Sequence, residues 1–128
     1  GLVGSEMCIR DRIICEDEPQ LRTLLVDVIQ ERFKDVEVCG QATTGEEAVE
    51  LYKRFKPDVT IMDLIMAKKS GLRAIKEILE MDPEAKIIII TAIRDEKFKM
   101  EALEMGVKKY IEKPFKLADF ISALNEVL

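Results

Sequence analysis

The sequence predicts an α/β fold in which a parallel β-sheet is covered by helices on both faces. Short apolar runs of strand length alternate five times with segments of helical periodicity from residue 13 onward. The connections between these segments are short, and the four isoleucines at 87–90 lack the polar alternation of a half-exposed strand. Regular alternation of this kind indicates parallel strands joined by helices that pack on the sheet.

The predicted strands are short, and they comprise residues 13–15, 36–39, 59–62, 87–90 and 109–112. Gly40 is expected to begin a turn after the second strand. The unbroken apolar character of the fourth strand predicts that it is buried on both faces.

Local signals mark the ends of the predicted helices. Thr44 followed by Glu47 forms a capping-box pattern at the start of the second helix, and Pro57 ends that helix. The third helix stops before Pro83, and Gly106 is placed to cap the fourth in a left-handed conformation. Five strands and five helices in a chain of 128 residues suit the flavodoxin-like, doubly wound order 2-1-3-4-5.

Composition and charge exclude several classes of function. Hydrophobic residues make up 48% of the chain and charged residues 35%, as in an ordinary single soluble domain. A net charge of −5 without a basic cluster argues against direct nucleic-acid binding, and no apolar stretch is long enough to span a membrane. The lack of histidine excludes histidine-based catalysis and the usual zinc sites. Cys15 and Cys39 are expected to be buried reduced thiols, which favours a cytoplasmic location.

Residues 1–12 do not look like the start of a domain. Their sequence, Gly-Leu-Val-Gly-Ser-Glu-Met-Cys-Ile-Arg-Asp-Arg, resembles a translated sequencing adapter, and it lacks the apolar core of a secretory signal. We therefore expect a non-native or disordered extension at 1–12 and a single domain at 13–128. A natural N-terminal extension is the alternative interpretation.

Acidic residues follow two strands that the predicted order places side by side. Glu16 and Asp17 follow the first strand, and Asp63 follows the third. Ligands of a doubly wound sheet bind beyond the carboxyl ends of the strands, at the point where the strand order reverses. Three converging carboxylates repel one another unless a cation or raised pKa values compensate. Hard oxygen ligands with open positions suit Mg²⁺.

Two further side chains are expected at the edge of this acidic site. Thr91 ends the fourth strand, and Lys113 follows the fifth. A hydroxyl and an ammonium group beside a metal-bound carboxylate can stabilise the oxygens of a phosphoryl group. The residues together therefore indicate phosphoryl-transfer chemistry.

Four segments resemble the receiver domains of two-component response regulators, most closely the single-domain chemotaxis type. These segments are Ile-Ile-Cys-Glu-Asp-Glu-Pro (13–19), Pro-Asp-Val-Thr-Ile-Met-Asp-Leu-Ile-Met (57–66), Ile-Ile-Ile-Ile-Thr-Ala (87–92) and Gly-Val-Lys-Lys-Tyr-Ile-Glu-Lys-Pro-Phe (106–115). They occur in the family's order and at its spacing, and the resemblance covers residues 13–128.

This resemblance implies a role for each residue of the site. Asp63 would accept a phosphoryl group from a phosphohistidine of a sensor histidine kinase or phosphotransfer protein. Lys113 would pair with the phosphoryl oxygens, and its peptide bond to Pro114 would be cis. The Mg²⁺ ion would be held by Glu16, Asp17, Asp63 and the backbone carbonyl of Ile65.

The resemblance also implies a conformational switch. Thr91 would move toward the phosphoryl group and Tyr110 would turn inward. These movements would alter the surface formed by the fourth helix, the fifth strand and the fifth helix, where partners of the family dock. The output would be an unknown partner or a missing effector domain. The domain would catalyse only its own phosphotransfer and autodephosphorylation, so we do not expect an enzyme acting on other substrates.

Two isoleucines occupy positions that bear on the lifetime of the phosphorylated state. Ile65 and Ile93 lie two residues after Asp63 and Thr91, where family side chains flank the path of the hydrolytic water. Branched apolar groups hinder that water and offer it no hydrogen bond. We therefore expect slow loss of phosphate. Glu16 stands where the family more often has Asp, which keeps the charge and lengthens the reach.

Two other functions are compatible with the fold. A receiver-shaped module can signal without phosphate, but the complete set of acidic, threonine and lysine residues argues against this. A small phosphatase of the aspartyl-phosphate type needs a second Asp two residues after the nucleophile, and this chain has Ile65 there.

Overall fold

The computed structural model describes the backbone of residues 11–15, 19–33, 37–42, 44–62 and 71–128, and the side chains of 23–33, 44–62 and 71–128. Five strands lie in these residues: β1 (Asp11–Cys15), β2 (Glu37–Ala42), β3 (Val59–Met62), β4 (Ile87–Thr91) and β5 (Lys109–Glu112). They alternate with five helices: α1 (Pro19–Arg32), α2 (Gly45–Phe55), α3 (Gly71–Met81), α4 (Glu96–Met105) and α5 (Leu117–Val127). Within these ranges, no helix is long and apolar enough to cross a membrane.

The five strands form one parallel sheet. Their order is β2-β1-β3-β4-β5, so the predicted doubly wound topology is confirmed. The register pairs Cys15 of β1 with Met62 of β3, and Met62 with Ile89 of β4. On the other side of β4, Thr91 pairs with Glu112 of β5. β1 and β3 therefore lie side by side, as the predicted site requires.

The predicted bounds of β1 and β2 were wrong. β2 extends to Ala42, and Gly40, predicted to begin a turn, pairs with Ile13 inside the sheet. The register shifts at this point, and an irregularity of this kind is where glycine is tolerated within a strand. β1 begins at Asp11, so Asp11 and Arg12 of the predicted extension pair with β2. The division at residue 12 stays a prediction, and residues 1–10 lie outside the described residues.

β4 is the centre of the hydrophobic core. All five of its residues are buried, which confirms the prediction of burial on both faces. Ile87 and Ile89 belong to a core cluster with residues of α2, α3 and α4, whereas Ile88 and Ile90 belong to a second cluster with residues of α1 and α5. Full burial of a side chain of this size stabilises the fold by about 1.5–3 kcal/mol. The sheet is therefore held between two helical layers.

The helix ends follow the local signals in the sequence. The Thr44 hydroxyl accepts a hydrogen bond from the Glu47 N–H at 3.1 Å, which is the first half of the predicted capping box. α2 ends one residue before Lys56, which adopts a left-handed conformation with φ 45° ahead of Pro57. Gly106 caps α4 with φ 116°, as predicted.

A buried phenol connects α2 to the turn between α3 and β4. The side chain of Tyr52 is 4% exposed, and its hydroxyl donates to Oδ2 of Asp82 at 2.7 Å. The other carboxylate oxygen of Asp82 accepts from the Glu84 N–H at 3.0 Å. Burial raises the pKa of Tyr52 above its usual 10.0, and the hydrogen bond to Asp82 and the negative charge of Asp82 raise it further.

Replacing Tyr52 by Phe is expected to lower the free energy of unfolding by about 1–2 kcal/mol, because Asp82 loses a hydrogen-bond donor. The folded-state pKa of Tyr52 lies above its unfolded value, so its contribution is complete below pH 10.0 and is lost as the pH rises through the folded pKa. Above pH 10.0 the wild type should therefore lose stability more steeply than Tyr52→Phe. Urea unfolding of both proteins from neutral to alkaline pH measures this difference. If the free energy of unfolding falls with pH at the same rate in both proteins, the prediction is contradicted.

A second prediction concerns Thr60 in β3. Its side chain is fully buried, and its hydroxyl has no hydrogen-bond partner among the residues that the structure describes. Thr60→Val is expected to raise the free energy of unfolding by about 1 kcal/mol, because it removes a dehydrated hydroxyl without changing the shape of the side chain. Thr23→Val on the exposed face of α1 is the matched control. Loss of stability in Thr60→Val, measured by urea unfolding, would show that the hydroxyl is bonded.

Candidate functional site

The carboxyl ends of the strands form one edge of the sheet. β1 ends at Cys15 and β3 ends at Met62, and these two residues pair directly. In the sequence, Glu16 follows Cys15 and Asp63 follows Met62. The sheet therefore brings together the two strand ends that precede the predicted acidic residues. The predicted residues Glu16, Asp17, Asp63 and Ile65 themselves lie outside the described part of the chain.

Thr91 lies at the same edge, at the end of β4. It is fully buried, because β4 is covered on both faces. Its hydroxyl accepts a hydrogen bond from the Ile93 N–H at 3.3 Å, and its carbonyl accepts from the Lys113 N–H at 2.7 Å. A hydroxyl that accepts one hydrogen bond can still donate its own proton. The backbone of Thr91 is thus held by Lys113, and its hydroxyl can still donate a hydrogen bond.

Lys113 is the first residue after β5, and it is half-buried. Its N–H donates to Thr91, so the structure brings together these two predicted residues. Its carbonyl accepts a hydrogen bond from Nη2 of Arg94 at 2.9 Å. The peptide bond between Lys113 and Pro114 is cis, which confirms the expectation taken from the family.

Tyr110 approaches the loop between β4 and α4 from β5. It is half-buried, and it packs against the core cluster formed with α2, α3 and α4. Its hydroxyl donates to the carbonyl of Ile93 at 2.8 Å. Ile93 is therefore bonded through its N–H to Thr91 and through its carbonyl to Tyr110, the two residues of the predicted switch.

Sequence reasoning missed two features of this edge. It treated Ile93 as a side chain beside a water path, whereas the backbone of Ile93 connects Thr91 and Tyr110. It gave no role to Arg94, whose guanidinium bonds the backbone of Lys113. These bonds are made to backbone atoms of Ile93 and Lys113, and such atoms leave no pattern in a sequence.

The described residues hold no group of three His, Cys, Asp or Glu side chains that could bind a metal ion. The predicted ligands lie outside the described residues. The fit to Mg²⁺ therefore rests on the donor set: two carboxylates directly follow paired strand ends, and Asp17 adds a third.

Comparison with protein families matches residues 13–125 to the response regulator receiver domain. The chain belongs to this family. Chemotaxis protein CheY of Thermotoga maritima is 43% identical to this receiver domain over 115 residues, which cover 90% of the chain and 94% of that protein. A probable C4-dicarboxylate response regulator of Bacillus subtilis, DctR, is 35% identical over 114 residues, which make up 50% of that longer protein.

A solved structure shows the same fold. In the crystal structure of a CheX–CheY–BeF₃–Mg²⁺ complex from Borrelia burgdorferi, one chain matches this receiver domain with a TM-score of 0.86 and 27% identity. The match covers 91% of this chain and 87% of that one. The predicted family and α/β fold are confirmed, and the chain is a receiver domain of two-component signalling.

Proposed function

We propose that this receiver domain is a phosphorylation switch whose phosphoacceptor is Asp63. The observation that carries the proposal is the hydrogen bond between Lys113 and Thr91, at the sheet edge where β3 ends one residue before Asp63. The donor would be a phosphohistidine of a sensor histidine kinase or phosphotransfer protein. Because such a donor would present its phosphohistidine in the cytoplasm, we propose that the domain acts there.

In the proposed reaction, a carboxylate oxygen of Asp63 attacks the phosphorus atom. The new O–P bond forms as the N–P bond to the donor histidine breaks, and the electron pair of that bond stays with the imidazole. The ammonium group of Lys113 would neutralise charge on the phosphoryl oxygens, and the hydroxyl of Thr91 would donate a hydrogen bond to one of them.

Glu16, Asp17, Asp63 and the backbone carbonyl of Ile65 would hold Mg²⁺. These are hard oxygen donors, which this ion prefers. When bound, Mg²⁺ supplies positive charge to the transferring phosphoryl group and relieves repulsion among the carboxylates. The CheX–CheY complex from Borrelia burgdorferi, which contains Mg²⁺ and BeF₃, supports the same donor chemistry here.

The switch would use the bonds of Ile93. If Thr91 moves toward the phosphoryl group so that its hydroxyl donates a hydrogen bond there, its bond with the Ile93 N–H changes, and Ile93 is also the partner of Tyr110. Phosphorylation of Asp63 would thereby change the bonding of Tyr110 and alter the α4–β5–α5 surface. On α4, the side chains of Met100 and Leu103 are 56% and 41% exposed, which supports this surface as the docking site of an output partner.

Beryllofluoride binding tests the phosphoacceptor directly. With Mg²⁺ present, the wild type should bind beryllofluoride, and Asp63→Asn should lose the binding because an amide cannot supply the coordinating carboxylate oxygen. Isothermal titration calorimetry measures both, with Asp27→Asn on the exposed face of α1 as the control. Equal binding by Asp63→Asn, or none by the wild type, would favour a module that signals without phosphate. Turnover of phosphomonoesters would instead favour the phosphatase.

The rate of phosphate loss tests the roles of Ile65 and Ile93. Ile65→Asn combined with Ile93→Glu is expected to speed hydrolysis about tenfold or more, because polar side chains can orient the attacking water. Decay is followed by phosphate-affinity gels after labelling with acetyl phosphate and Mg²⁺. Ile93 packs against the core, so Ile65→Asn alone and the unfolding midpoint of each variant are the controls. Unchanged decay in the double variant contradicts the proposed role.

A further inference from the structure

The backbone of Lys113 is held on both sides. Its N–H donates to the Thr91 carbonyl at 2.7 Å, and its carbonyl accepts from Nη2 of Arg94 at 2.9 Å. The first bond continues the contact between β4 and β5. The second reaches across from the loop that follows β4, and it joins residues 19 positions apart in the sequence.

The carbonyl of Lys113 needs a partner from outside the sheet. β5 ends at Glu112, so this carbonyl lies beyond the last paired residue, and Pro114 has no N–H to contribute to the local backbone. Backbone carbonyls are strong acceptors that are normally paired. A guanidinium donates charge-assisted hydrogen bonds from a rigid planar group, which makes Arg94 a directional partner.

Arg94 is itself attached to an anchored segment. The residue before it, Ile93, is bonded to Thr91 and Tyr110. The residue after it, Asp95, caps α4 by accepting from the Lys97 N–H at 2.9 Å. The residues on both sides of Arg94 are therefore hydrogen-bonded, which fixes the backbone position from which its side chain extends to Lys113.

We propose that Arg94 is a positioning residue that holds the peptide of Lys113 and so sets where the ammonium group meets the phosphoryl oxygens. The proposal rests on the phosphoryl-binding role proposed for Lys113. Arg94 is exposed, so water competes for its hydrogen bond and the effect is modest. Loss of the bond is expected to weaken beryllofluoride binding about three- to tenfold, because Lys113 then samples other positions.

The test compares five variants in calorimetric titrations of the full chain with beryllofluoride and Mg²⁺. Arg94→Met keeps much of the apolar stem but removes the donor, and it should bind about three- to tenfold more weakly than the wild type. Arg94→Lys keeps a charged donor and should recover part of that loss. Arg73→Met, on the exposed face of α3, is the matched control and should bind like the wild type.

The last two variants, Lys113→Met alone and Lys113→Met combined with Arg94→Met, test whether Arg94 acts through Lys113. In a Lys113→Met background, adding Arg94→Met should weaken binding no further, since no ammonium group remains to be positioned. A full additional loss there would mean that Arg94 acts independently, and wild-type affinity in Arg94→Met alone would equally overturn the inference. If the wild type fails to bind, or if Asp63→Asn binds equally, the proposed function fails and the role of Arg94 fails with it.

Discussion

The burial of β4 on both faces is the constraint on which the rest of this receiver domain depends. Its isoleucines alternate between two core clusters, so helices must cover each side of the sheet. A strand enclosed in this way can place a polar side chain without cost only where it ends. Thr91 occupies that end, and its hydroxyl and carbonyl are both hydrogen-bonded. The core therefore determines where the chemistry can lie.

The site follows from the register of the strands beside β4. Pairing of Cys15 with Met62 aligns the ends of β1 and β3, and pairing of Thr91 with Glu112 brings Lys113 alongside. Glu16, Asp17, Asp63 and Lys113 thus come one or two residues after a paired strand, and Thr91 is the last residue of β4. Such segments resist displacement because close packing leaves them little room to move.

Much of this arrangement could be predicted from the sequence. The five strands, their order and the cap at Gly106 follow from apolar periodicity and local capping signals. The extent of β2 could not be predicted, because Gly40 favours a turn locally and only pairing with β1 keeps it in the sheet. The contacts of Ile93 and Arg94 could not be predicted either. They are tertiary hydrogen bonds to backbone carbonyls, those of Ile93 and Lys113. Local chemistry predicts elements well, and it predicts contacts between loops poorly.

The two tyrosines of this chain have separate surroundings, which has a spectroscopic consequence. The chain has no tryptophan, so its intrinsic near-ultraviolet emission comes from Tyr52 and Tyr110 alone. Tyr52 is bonded to Asp82 in the turn that leads into β4, whereas Tyr110 is bonded to the loop that leaves β4. A change at the carboxyl edge that alters the bond of Tyr110 would therefore change the summed tyrosine emission, with Tyr52 contributing a constant background. Intrinsic tyrosine fluorescence can therefore report on this edge without a label.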